Sequence, residues 1–388
     1  MLVYLCPALM DWLIFFVLTA VMYVAGERGV GFGGCSILGI IFQVAYMGCS
    51  IAAGHMLTRK NAKRILFLST LFCGLTAACC LWLESMIPLS AALAFFGVFS
   101  AFFFNAFQSF MRGESAPGTL KKTVALYSLS WSSGAAAGCM TAGLMCKLGI
   151  FWMFASIFAC MLVIAGFLLV HKSRGHDELS SDEHVEEGSA GARQVSSAYV
   201  LVGWMMIFVI VFVQRPVFTF LPRDFGSRGV DSLLASLPLF GHMAGQALFS
   251  WLMWRFRDHL YRKTPFLLIQ GLAAAGFLVI WKFPSYPVCL AGLSLLGIYA
   301  GFAYFCAVYY SSNSGRRAFN VGVNESLVGL GSIAGILAGY FWMRTNAEIS
   351  DLYLMCGLGL LVSAVFQFVA ALPAKQGKCP EPETMTPL

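Results

Sequence analysis

Apolar runs of about twenty residues, parted by short polar breaks, recur along the whole 388-residue chain. A helix of that length crosses the roughly 30 Å hydrocarbon layer of a bilayer and bonds its own backbone N–H and C=O groups where no water can. Twelve such spans can be read. Six fill the first half: Val3 to Ala25, Cys35 to Leu57, Ile65 to Leu83, Pro88 to Met111, Thr123 to Cys146 and Leu148 to Val170. Six fill the second: Ala198 to Leu221, Ser232 to Trp254, Thr264 to Trp281, Tyr286 to Tyr310, Ala318 to Met343 and Asp351 to Leu372. Only 11% of the residues are charged, against roughly 25% in soluble domains. The expected fold class is therefore an all-α integral membrane protein.

The first span starts almost at Met1, carries Asp11, and has neither a basic leader nor a small-residue cleavage site. It is expected to remain as a helix and not be removed as a signal peptide. With the amino terminus inside, the loops and tail assigned to the cytoplasm hold eighteen Lys and Arg, while the opposite loops hold six: Arg28, Lys147, Arg223, Arg228, Lys282 and Arg344. That asymmetry predicts a multi-pass protein of the cell membrane with both termini cytoplasmic. The net charge of +7 then reflects topology and gives no reason to expect a nucleic-acid partner. Most of the thirteen cysteines fall inside apolar spans, where a thiol behaves as a small hydrophobe, so no disulfide framework is expected.

One long polar stretch, His171 to Ser197, follows the sixth span. It suggests an N-terminal six-helix bundle (1–170), a cytoplasmic linker (171–197), a C-terminal six-helix bundle (198–372) and a cytoplasmic tail (373–388). An internal repeat supports the division. A shift of 200 residues lays Gly26, Arg28, Gly29 and Val30 on Gly226, Arg228, Gly229 and Val230, Thr19 on Thr219, and Lys63 on Lys263. A shift of 197 lays Gly134, Ala137 and Gly138 of span five on Gly331, Ala334 and Gly335 of span eleven.

Two six-helix repeats with a site between them near the midplane are how major facilitator transporters are built, and several motifs carry that resemblance. The loop between spans two and three has Gly54, Arg59, Lys63 and Arg64 in the pattern of the family's gating loop, with Thr58 in place of its aspartate. The repeat copy keeps the acid as Asp258. Span four has Asn105, Gln108 and Ser109 where the family pattern has an arginine, a glutamine and a glycine, so proton coupling does not carry over through that motif. Span five, with Gly134, Gly138, Cys139, Ala142 and Gly143, resembles the glycine–proline pattern of the family's exporters. Small residues at every fourth position also make a groove that lets a neighbouring backbone approach. Span eleven repeats the groove at Gly331, Gly335 and Gly339. Both grooved helices are expected to pack against the opposite half.

A charge inside a span costs at least ~2.5 kcal/mol and so should face a cavity or a partner. Asp11 lies in span one, and Gln214 and Arg215 lie in span seven; the 200-residue shift puts Arg215 on Phe15, one turn after Asp11. The resemblance implies that spans one, four, seven and ten line a central cavity. Asp11, Asn105, Gln108, Gln214, Arg215 and Tyr304 are therefore the candidate substrate-binding residues, with Asp11 and Arg215 either a separable pair or a permanent structural one. Glu325, in span eleven beside Asn324, is the coupling candidate. His242 in span eight reads as a hydrogen-bonded packing residue.

The function implied is secondary or facilitative transport of a small organic solute by alternating access, the span-five pattern leaning to efflux. The polar pair suits an anionic or zwitterionic solute. No zinc-protease motif, nucleophile elbow or phosphate-binding loop is found, so neither an enzyme nor a bound cofactor is expected. The partners are the solute, a coupling ion and the bilayer, for a monomer. Two rival readings stand beside it. One is a copper carrier, suggested by the Met and Cys content and the cluster Cys139, Met140, Met145 and Cys146, although no two methionines lie four apart within a span. The other is a non-transporting sensor on the same fold.

Overall fold

The structure is a computed structural model, and it describes residues 2–57, 59–114, 120–171, 197–253, 263–312, 317–346 and 348–371. The described residues form a short 3-10 turn, Leu2–Tyr4, and twelve α-helices. The first six are α1 (Leu5–Glu27), α2 (Phe32–Met56), α3 (Arg59–Trp82), α4 (Met86–Glu114), α5 (Leu120–Leu148) and α6 (Ile150–Val170). The second six are α7 (Ser197–Ser227), α8 (Ser232–Leu252), α9 (Lys263–Lys282), α10 (Tyr286–Ser312), α11 (Arg317–Asn346) and α12 (Ile349–Ala371). The twelve helices follow the twelve spans. The largest differences are at α3, which starts six residues early on its basic turn, and at α7, which runs six residues further, through Pro222.

Ten of the twelve are long and apolar enough to cross a membrane on their own. The two that fall short are α5, with its run of Ser and Gly, and α8, with His242, Gln246 and Ser250. These two pack against each other across the boundary between the halves, flanked by α1 on one side and α10 on the other. Their polar groups are thereby held away from lipid. The greasiest faces lie at the periphery, where Phe151 and Leu169 of α6 and Val365 of α12 are 71%, 70% and 64% exposed. That is the inverse of a soluble protein's pattern and is what a hydrocarbon solvent favours.

The repeat seen in the sequence is also a repeat of packing. A Cβ at Gly134 or Gly138 of α5 would run into the carbonyl oxygens of Ala8 and Trp12 in α1; at Gly331 and Gly335 of α11 it would meet those of Phe208 and Phe212 in α7. Ala8 and Trp12 are the 200-residue mates of Phe208 and Phe212. The grooves therefore seat the first helix of their own half. As expected, α5 and α11 also pack against the opposite half, on α8 and α2. The groove of α11 has a further reason to be bare. Pro216 inside α7 has no N–H to give the carbonyl of Phe212, and the Gly335 backbone covers that carbonyl.

Candidate functional site

The halves are joined first at the end that carries the α1–α2 and α7–α8 loops. Both α1 and α7 end in a Schellman motif. In the first, Gly29 N–H donates to Gly26 O at 2.9 Å and Val30 N–H to Ala25 O at 2.9 Å; in the second, Gly229 N–H donates to Gly226 O at 3.1 Å and Val230 N–H to Phe225 O at 3.0 Å. Each closing glycine has the positive φ that the motif needs, 75° and 67°. The carbonyls thus presented are used across the boundary. Tyr23 Oη donates to Val230 O at 2.7 Å, and Arg223 Nε donates to Val30 O at 2.8 Å, its guanidinium 4.2 Å from the Phe32 ring centroid. Tyr23 and Arg223 are repeat mates, as are Val30 and Val230. Gly26 lies against Arg223 O and Gly226 against Tyr23 O, so side chains there would push the helices apart. This reciprocal latch is flanked by Ser232 Oγ donating to Gly143 O (2.7 Å) and by the Lys147–Asp231 ion pair at 2.6 Å.

Beneath the latch lies a cavity of about 30 Å³ between α1, α2, α7 and α11. Its walls are Phe15, Phe42 and Phe218, its hydroxyls the repeat mates Thr19 and Thr219, its amide Gln43, and its one charge Arg215. The Arg215 guanidinium carbon is 5.8 Å from the Phe15 ring centroid, and its Nε is buried with no hydrogen-bond partner. Asp11 is buried one turn below Phe15 and feels the charge of Arg215, yet the two form no ion pair and Asp11 is not part of the cavity wall. The arrangement is a guanidinium with no ion-pair partner facing a small aromatic chamber, with Asp11 within electrostatic range.

The third joint lies deeper, about 20–24 Å from the latched end by helix rise. Gln214, beside Arg215, is its centre. The Gln214 amide nitrogen donates to Gln246 Oε1 at 3.3 Å and lies 2.7 Å from His242 Nε2, while Tyr304 Oη donates to Gln214 Oε1 at 3.2 Å. Gln246 Nε2 in turn donates to Ser132 Oγ of α5 at 2.9 Å, which carries the chain into the other half. His242 Nδ1 is 3.2 Å from Leu293 O. A carbonyl only accepts, so Nδ1 holds the hydrogen and Nε2 is the acceptor: the imidazole is neutral here. Trp131 of α5 stacks edge-on to Tyr304 with centroids 5.0 Å apart, closing the same layer.

The structure thus brings Gln214, Arg215 and Tyr304 to one place and leaves Asp11 close by. Asn105, half-buried, spends its amide on Ala101 O within its own helix at 2.8 Å. Glu325 is half-buried in α11 and within electrostatic range of Tyr304. Of the gating-loop residues, Lys63 donates to His171 O at 2.7 Å, tying α3 to α6 inside the first half, and Arg64 is exposed. Gly54 ends on α2. The side chains of Gln108 and Arg59, and all of Asp258, lie outside the described residues, as do 172–196 of the linker and 372–388 of the tail. Gly339 of α11 sits against Pro216 and Phe220 of α7. Sequence reasoning took His242 singly and passed over Gln246 and Ser132. The available signal was the four-residue spacing of His242, Gln246 and Ser250, which sets a polar stripe on one face of α8.

Among the described residues, no group of three His, Cys, Asp or Glu side chains could hold a metal ion. No curated protein matches the chain in sequence. Solved structures match its fold over nearly the whole length. A D-xylose–proton symporter aligns with a TM-score of 0.70 at 16% identity, covering 93% of this chain and 96% of its own. The human organic anion transporter MFSD10 (TETRAN) aligns at 0.66 and 16% identity, covering 94% and 98%. A bacterial homologue of the human lysosomal transporter Spinster, inward-facing and unoccupied, aligns at 0.62 and 16%, covering 95% and 96%. The family model of the Major Facilitator Superfamily matches residues 1–223. With twelve helices, a packing repeat that relates two six-helix halves and a cavity between them, the chain is a multi-pass membrane protein and a secondary transporter belonging to the Major Facilitator Superfamily.

Proposed function

We propose that the protein carries a small organic anion with an apolar or aromatic body, bound at Arg215 and exchanged between the two sides by alternating access. The observation that supports this reading is the buried, unpartnered Nε of Arg215 in a chamber walled by Phe15, Phe42 and Phe218. A guanidinium in such a site gains most from a carboxylate or similar anion, which it can bind with two parallel charge-assisted bonds. Asp11 stands outside the wall, which favours an anion over a zwitterion, whose cationic end would need a carboxylate. That one fold neighbour is an organic anion transporter agrees with the choice.

On this reading the cavity is held in an occluded state, with the Tyr23–Arg223 latch above it and the Ser132–Gln246 and Trp131–Tyr304 contacts below. The distribution of Lys and Arg supports an orientation with the latched end outside the cell membrane and both termini in the cytoplasm. Opening outward would break the latch, and opening inward would break the deeper layer.

The test uses benzoate as the anion and benzamide as its neutral counterpart. Benzoate should raise the thermal midpoint of the purified protein and accumulate in proteoliposomes; benzamide should do neither, and Arg215→Gln should lose both effects while remaining folded. Equal binding of benzamide, or full benzoate uptake by Arg215→Gln, would remove the anion from the proposal.

A further inference from the structure

We propose that His242 is a proton-binding site coupled to the cavity, so that an anion arriving at Arg215 draws a proton onto His242 Nε2 and the two cross together. The inference rests on the anion reading above and adds the second ligand. His242 is 1% exposed, and its ring is held on three sides: by Leu293 O of α10, by the Gln214 amide of α7, and edge-on by Phe218 at 5.4 Å. Phe218 and Arg215 both line the cavity. One aromatic ring therefore separates the imidazole from the solute.

A proton added to Nε2 turns that nitrogen from acceptor to donor, and the polar chain can follow. Gln214 rotates its amide to offer Oε1 to His242 and its NH2 to Tyr304 Oη. Gln246 rotates in step, donating to Gln214 Oε1 and accepting from Ser132 Oγ. Each contact of this chain keeps its place and reverses its direction, because amides and hydroxyls both donate and accept, and only the weak donation from Gln214 Nε2 to Met243 Sδ at 3.5 Å is given up. Hydronium from the solution supplies the proton: its O–H bond breaks, the N–H bond at Nε2 forms, and a water molecule is left. The end of the chain is Ser132 of the first half, so the charge on His242 is felt at the contact that holds the halves together.

Burial of the ring is the main opposition to a charge on His242, the Leu293 carbonyl favours it, and the charge of Arg215 adds a smaller opposition. Arg215 on α7 opposes a second positive charge, and a bound anion cancels that opposition; by linkage the proton strengthens anion binding to the same degree. From α10 the facing titratable group is Tyr304, and from α5 there is only Ser132, which does not titrate. Asp11 of α1 and Glu325 of α11 act on Tyr304 from further away. Asp11 is thus the rival seat for the proton.

Purified protein in weakly buffered detergent solution should take up close to one proton per benzoate bound. Between about pH 6 and 8, where a free carboxylate stays ionised, benzoate affinity should rise as the pH falls. In His242→Gln both the proton count and this slope should drop to zero at whatever affinity remains, while Asp11→Asn keeps them. A second measurement needs no ligand: in 15N-histidine NMR spectra, His242 should take its proton at higher pH in Arg215→Gln than in the unsubstituted protein. Benzoate binding with no proton uptake, a slope kept by His242→Gln but lost by Asp11→Asn, or identical His242 titrations with and without Arg215 would each overturn the inference. Absence of benzoate binding altogether would instead refute the anion reading, and the NMR comparison would still judge His242.

Discussion

The latched end and the polar layer at mid-depth are built from the same two repeat copies, and they treat the repeat in opposite ways. At the latch the mates act alike: Tyr23 and Arg223 each reach the carbonyl of the other copy's valine, and Gly26 and Gly226 each admit the other copy's backbone. At mid-depth the mates differ, the cavity hydroxyls Thr19 and Thr219 apart. Asp11 falls on Val211, Phe15 on Arg215, Ile14 on Gln214, Phe42 on His242 and Tyr46 on Gln246. A joint that opens and closes between two similar bundles is well served by reciprocal contacts, since both sides then form and break together. A binding site gains from asymmetry, because a solute with one charged end needs one charge and not two.

The comparison makes its largest prediction for packing that both copies keep. Gly138→Leu and Gly335→Leu should each cost about 3 kcal/mol or more through overpacking against Trp12 and Phe212. Thermal unfolding of the pair checks this, and tolerance of one but not the other would break the structural symmetry. Next comes the broken symmetry at the cavity. Arg215→Gln should weaken benzoate binding about 30- to 150-fold, the loss of charge-assisted bonds worth about 2–3 kcal/mol. Phe15→Leu, at the mate position, should weaken it only about fivefold, through the lost ring face. Isothermal titration reads both.

Smaller effects return to the loops. Gly29→Ala and Gly229→Ala should each destabilise by about 1 kcal/mol, because their φ of 75° and 67° is costly for a residue with a Cβ. The two losses in thermal unfolding should match. The smallest effect concerns Asp231, which caps α8 by accepting from Leu233 N and Leu234 N. Its hydrogen bond from Lys147 holds its carboxyl below the usual carboxylate range. The contribution is therefore present above the ordinary carboxylate pKa and lost as pH falls through the lowered value. Acidification below about pH 4 should loosen the latched end slightly in the unsubstituted protein and not in Lys147→Ala, as measured by spin-label distances.

Much of the architecture is legible in the sequence because its causes are local. Twenty-residue apolar runs can only be helices in hydrocarbon, and the Gly-Val mates after spans one and seven coincide with the Schellman turns. Arg215 and Gln214 stand out because charge and amide are rare inside a span. What escapes a reading of the sequence is relational. The glycine grooves are readable as close-approach surfaces, but which helix they seat follows from the three-dimensional order of the bundle, and that order turns them inward to α1 and α7. His242 reads as packing when taken singly; Gln214, Gln246 and Ser132 lie on the same chain of bonds, which joins residues up to 114 apart.

The account's central claim is that the matched end gates and the mismatched centre binds. Electron-resonance distances between spin labels at Ile37 of α2 and Leu234 of α8, both exposed near the latch, test it without a solute. Losing both latch bonds in Tyr23→Phe/Arg223→Gln removes about 2 kcal/mol, so the long-distance population should grow about thirtyfold, while Arg215→Gln leaves the distribution unchanged. An unchanged distribution in the latch variant, or equal opening in Arg215→Gln, would contradict the account.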